Sequence, residues 1–152
     1  MRVAILIIAL TASTGSSAAA SQTASRAFVQ DLNAVGDYQE CGVDRFSLFD
    51  SVRSTLLDAG YTIEYGAGQT FSVELDAHKG TAGGCSARVK VLRETLGEGK
   101  RGASEAEVCG WARVLASNPA VISRDLADYA STFTARCIRR DQEHSGIAGR
   151  SE

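Results

Sequence analysis

Proline occurs once and histidine twice in the 152 residues, and no two of the four cysteines lie close together. Cys41, Cys85, Cys109 and Cys137 contain no C-x-x-C pair, which removes both the usual zinc-site spacing and the thioredoxin-like redox motif. No metal site and no cofactor are expected. Apart from Val3 to Leu10 there is no long apolar run, and that run falls short of the roughly 20 residues a spanning helix needs. No membrane span is therefore expected. Charge of one sign is not in excess either. Arg2 is the only charged residue among the first twenty, so 16 basic against 18 acidic residues becomes 15 against 18 in the remainder. Such a balance offers no electrostatic case for nucleic acid or an anionic membrane. No internal repeat, heptad run or low-complexity segment follows the leader, and no N-x-S/T sequon occurs anywhere, as suits a bacterial envelope protein.

What is present begins with an export signal. Met1-Arg2 supplies a positive start, Val3 to Leu10 the apolar stretch, and Ala18-Ala19-Ala20 an Ala-x-Ala ending, together the pattern of a secretory signal peptide cleaved near Ala20. The chain then reads as a leader over 1–20, one domain over 21–143 and a flexible tail over 144–152. About 130 residues is near the commonest size for a single domain. In a periplasmic or secreted protein, four widely spaced cysteines imply two disulfides, with three possible connectivities.

Two segments carry helical periodicity. Leu48, Phe49, Val52 and Leu56 recur at helical spacing behind Asp44, a capping residue, and ahead of Gly60, predicting a helix from about Arg45 to Ala59. Ile122, Leu126, Tyr129, Phe133 and Cys137 form a second stripe, with Asn118 as cap and Pro119 at the first helical position. Between them the period is two. Phe71, Val73, Leu75 and Ala77 alternate with polar residues, as do Cys85, Ala87, Val89 and Val91. These are half-buried strands joined by the glycine-rich "HKGTAGG". Centring the hairpin near Thr81 sets Glu74 opposite Arg88. Residues 61–65 add a short strand. Phe28, Leu32 and Val35 fit a helix, but "RAFVQDLNAV" also alternates as a strand leading into the loop from Gly36 to Asp44, and the two readings of residues 26–35 stay open with the strand preferred.

The segment "EVCGWARVLASNPAVI" is ambiguous by local pattern. Ser104 and Glu107 make a capping box, and Val108, Trp111, Ala112 and Leu115 fit a helical stripe. Geometry favours a strand if Cys109 pairs with Cys137. These residues stand nine and nineteen positions from Asn118, and two antiparallel helices would leave them roughly 15 Å out of step. A strand on one side and a helix on the other both extend roughly 30 Å. The sulfurs can then meet, and Cys41 with Cys85 follows by elimination. The expected fold is α+β: an antiparallel sheet of about four strands packed against two helices, the long C-terminal helix last, stapled by two disulfides. That order resembles small envelope-associated α+β domains in general architecture, with no motif specific to one family.

Chemical motifs are sparse. Ser72, Asp76 and His78 share one strand face, but Ser72 and His78 are six positions apart, roughly 20 Å along a strand. Asp76 with His78 could orient a proton or assist a metal, though a solvated face accounts for both; His144 falls in the polar tail. "GAGQTF" and "GEGKR" lack the full dinucleotide and phosphate-loop patterns and read as turns. "CGWA" has only a fragment of the cysteine-protease surround. A half-cystine beside a core tryptophan fits it better. If Cys109 and Trp111 face the helices, Val108, Ala112 and Val114 turn to the far side of the sheet and form a candidate interaction surface. The function expected is a non-catalytic periplasmic or secreted binding domain whose partner is an envelope protein or component. The alternative is a small hydrolase whose carboxylates, or Asp76 and His78, converge only in three dimensions.

Overall fold

The computed structural model describes residues 25–96 and 104–148; the leader and its cleavage site, residues 1–20, lie outside the described residues. Six strands and two helices are present among them, in the order β1 (Arg26–Val29), β2 (Asn33–Gly36), α1 (Arg45–Asp58), β3 (Thr62–Ile63), β4 (Gln69–Lys79), β5 (Cys85–Leu96), β6 (Ser104–Ala116) and α2 (Pro119–Ala148). The α+β class, the two helices with the long one last and the two disulfides are as the sequence led us to expect. The sheet is not: it is mixed and has six strands rather than about four antiparallel ones.

The physical reason lies in the first crossover. β1 and β2 are two pieces of an interrupted strand that both pair parallel with β4, because the chain leaves β2, runs through α1 and returns on the same side. A strand–helix–strand passage between neighbouring strands makes them parallel. β3 adds a parallel pair to β1, and β4, β5 and β6 follow antiparallel. The resulting order is β3-β1-β4-β5-β6, with β2 continuing the β1 position beside β4.

Local signals fix both helices. Asp44 caps α1 by accepting from the Phe46 N–H at 2.9 Å and from the Ser47 hydroxyl at 2.6 Å. Those two hydrogen bonds, the hydroxyl first, hold the Asp44 pKa below the ordinary carboxylate range. At its other end Gly60, with φ of +84°, lets Tyr61 N–H reach the Leu56 carbonyl at 3.0 Å and its own N–H reach Leu57 at 2.9 Å, which closes the helix with a left-handed cap. Asn118 caps α2 through Ala120 N–H at 3.0 Å. α2 continues through Ala148, so residues 144–148, expected in the tail, are helical. Their polar composition hid this: past Ile138 no apolar stripe extends the period, although helix-compatible residues do.

Leu48, Val52 and Leu56 from α1 and Ile122, Leu126, Ala130, Phe133 and Cys137 from α2 join Phe71, Val73, Leu75, Ala77, Ala87, Val89 and Val91 in one buried cluster. Both helices thus cover the same face of the sheet. Cys109 is bonded to Cys137, tying β6 to α2, and Cys41 to Cys85, tying the loop after β2 to the start of β5. The second face carries no helix among the described residues.

The hairpin register differs from the one centred on Thr81. Glu74 stands opposite Lys90 and Asp76 opposite Arg88, with ion pairs of 3.0 and 3.4 Å. The five-residue turn from Gly80 to Gly84, closed by Gly80 N–H to the Gly84 carbonyl at 2.7 Å, moves its centre by one residue. A one-residue move of the centre shifts each partner by two positions, so the inward and outward faces are unchanged.

Candidate functional site

The uncovered face is set out by strand register. Across β2, β4, β5 and β6 one row runs Asn33, Glu74, Lys90, Trp111 and the next Val35, Asp76, Arg88, Arg113. The middle columns are charged and paired with each other. The outer column, on β6, is different: Trp111 is 65 % exposed, Leu115 73 % and Val108 46 %. They lie along a strand that ends the sheet.

This placement corrects the expected interaction surface of Val108, Ala112 and Val114. Ala112 stands opposite Val89 and Val114 opposite Ala87, both fully buried; Val114 is itself buried and Ala112 packs against the core. Only Val108 lies on the open face, opposite Leu92. Trp111, expected beside the helices, points the other way. A β-bulge between Val91 and Leu92 is responsible. Gly110 opposes Val91 and Val108 opposes Leu92, so Cys109 has no partner and the strand spends two consecutive residues on the helix side. Cys109 reaches Cys137 there, and a side chain at Gly110 would collide with the Phe133 ring. Every residue after the bulge therefore changes face. The signal missed in the sequence was Gly110 itself, since an isolated glycine inside a strand pattern marks a bulge or a close approach.

Asp76 and His78 also occupy the open face. His78 Nε2 is 3.0 Å from Asp76 Oδ1, while Asp76 Oδ2 accepts from Arg88. Ser72 is opposite Leu92, and the cross-strand partner of His78 is Ser86. No hydrogen bond joins Ser86 to His78 among the described residues, so no nucleophile is held against a base. His144 falls within α2.

A second cluster lies at the far end of β5 and β6, where Arg93, Thr95, Glu105, Glu107 and Asp141 line a cleft of about 490 Å³. Arg93 and Arg140 each donate to Glu107 at 2.6 Å. Arg93 Nη1 is 3.1 Å from Asp141, which also accepts from Tyr61 and Gln69. Burial alone would raise the Glu107 pKa; the Arg140 hydrogen bond and the Arg93 charge outweigh it and hold the group below its ordinary value. Burial, and then the Asp141 charge, push the Tyr61 hydroxyl up to about 12. These charges are spent on one another and fasten α2 to the sheet. Among the described residues no group of three or more His, Cys, Asp or Glu is placed to hold a metal ion, and no helix is long and apolar enough to cross a membrane.

The sequence matches no family model and no curated protein. In structure the chain is similar to a DUF330 protein from Xanthomonas campestris, with 8 % identity, 80 % of this chain and 88 % of that one covered, and a TM-score of 0.41. It is similar to a protein described as a homologue of a neuraminyllactose-binding hemagglutinin from Helicobacter pylori, with 9 % identity, coverage of 86 % and 91 %, and a TM-score of 0.41. A protein from Caulobacter crescentus described as a lipoprotein shares 17 % identity over 80 % of this chain and 93 % of its own, with a TM-score of 0.34. At such distances these likenesses assign no role to any residue.

Proposed function

We propose that this chain is an exported, periplasmic or secreted, non-catalytic binding domain that docks a partner protein on the open face of its sheet, along β6. One observation carries the reading: Trp111, Leu115 and Val108 stand exposed in a single column of a sheet face that no described element covers. Aromatic anchors of this kind dominate the energetics of protein interfaces, and an exposed apolar column on a sheet edge calls for a cover. Export is supported by the leader pattern and by two closed disulfides with no free cysteine among the described residues, a state that an oxidising compartment maintains. The hydrolase alternative draws no support from Asp76 and His78, which are engaged with each other and with Arg88.

Site-directed photocrosslinking in the exported protein tests the reading. With p-benzoylphenylalanine in place of Trp111, a discrete adduct forms that is missing when the same group replaces Leu57, an exposed apolar residue of α1. Leu115→Asp in the crosslinking protein abolishes the adduct. The same adducts from both positions, or none from position 111, would overturn it.

A further inference from the structure

The column on β6 contains one charge, and that charge is unanswered. Arg113 lies between Trp111 and Leu115 on the open face and stands directly opposite Arg88. Like charges facing each other across strands are unfavourable. Arg88 is relieved by Asp76 at 3.4 Å, whereas Arg113 is exposed and has no ion-pair partner among the described residues. Beside it runs the outer edge of a 13-residue strand, whose backbone groups find no strand partner among the described residues. An edge of this kind accepts an added strand, with backbone hydrogen bonds supplying affinity and alternate side chains supplying specificity.

Building on the binding reading, we infer that β6 receives an extended segment of a partner protein as an added strand, in the pattern apolar–x–acidic–x–apolar. Residues two apart on a strand repeat at roughly 7 Å, so an added strand in register lays its alternate side chains against Trp111, Arg113 and Leu115 in turn. The two apolar residues cover the tryptophan and leucine, and the carboxylate meets Arg113 and discharges its repulsion with Arg88. The pattern reads the same in both directions, so it suits either strand polarity.

A second copy of the chain does not supply this pattern. The open-face residues of its own β6 before the bulge are Ala106 and Val108, opposite Glu94 and Leu92, and contain no acid. Glu107 lies on the helix side, held by Arg93 and Arg140. The later half, Trp111 to Ala116, contains no carboxylate for Arg113 in any register.

The test uses the exported protein and fluorescein-labelled decapeptides centred on Leu-Thr-Glu-Thr-Leu or Leu-Thr-Lys-Thr-Leu, with binding read by anisotropy. The glutamate peptide binds at least about tenfold more tightly than the lysine peptide, and Arg113→Glu reverses the preference, as electrostatic complementarity at an interface requires. Amide exchange on β6 slows only with the bound peptide. Equal binding of both peptides, or a preference unmoved by Arg113→Glu, overturns the inference. So does retention of the protein by phosphatidylglycerol vesicles through Trp111 and Arg113 without peptide binding, or concentration-dependent dimerisation lost in Trp111→Ala. If the crosslink from position 111 persists while the two peptides bind alike, the acidic segment is refuted and the docking face stands. If neither the crosslink nor peptide binding is seen, both fall.

Discussion

Gly110 presents a bare Cα to the ring of Phe133, and a methyl group there would collide with three atoms of that ring. The absence of a side chain lets α2 approach β6 closely enough for the Cys109–Cys137 bridge one residue away. Gly110→Ala is expected to lower stability by about 1 to 3 kcal/mol through displacement of Phe133, as overpacking in a core does. A urea titration of the oxidised protein checks this, and an unchanged midpoint would refute the close packing. At this scale the sequence was legible where a residue acts only on its immediate neighbours, as Asp44, Gly60, Asn118 and Pro119 do from the positions where their cap chemistry puts them. It was not legible at Trp111. Alternation assigns each residue a side by counting, and one extra residue at a bulge inverts the count for everything beyond it.

Among the elements, the β4–β5 hairpin ties charge to register. Glu74 and Lys90 form a 3.0 Å pair with both side chains partly exposed. Glu74→Lys or Lys90→Glu alone should cost up to about 1 kcal/mol, and the double exchange should recover part of it. A double-mutant cycle by thermal unfolding measures the coupling; the same cycle on Glu74 and Arg88 should be close to additive, because those residues are not opposite one another. Two-residue periodicity sufficed to identify β4 and β5 and to say which faces are apolar. The register depended on turn geometry, which glycine content alone leaves open by a residue. Parallel pairing of β1 and β2 with β4 escaped for another reason: it is a property of how α1 crosses over, and no residue in the strands encodes it.

For the molecule as a whole, α2 is held to the sheet by the Cys109–Cys137 bridge and, about one turn further along the helix, by the charges of Arg93, Glu107, Arg140 and Asp141, and those charges give stability a defined pH dependence. Glu107 has a folded pKa below its unfolded one, so its contribution is present above the ordinary glutamate value and is lost as pH falls through the depressed one. Tyr61 has a folded pKa raised to about 12. Its contribution is complete below the ordinary tyrosine value of about 10 and is lost as pH rises from there to about 12. Denaturant midpoints measured across pH should therefore fall at both extremes. Glu107→Gln should flatten the acid limb, and Tyr61→Phe should flatten the alkaline one. Unchanged limbs in these variants would show that other groups govern the profile.

The two bridges join cysteines that are neighbours in order along the chain, first with second and third with fourth. A polypeptide that emerges amino end first delivers Cys41 and Cys85 before Cys109 and Cys137 appear. An oxidant that couples thiols as they arrive produces the native connectivity directly. The expected outcome is that such a protein reaches its native cross-links without an isomerase, with a yield that depends on the supply of oxidant rather than on reshuffling.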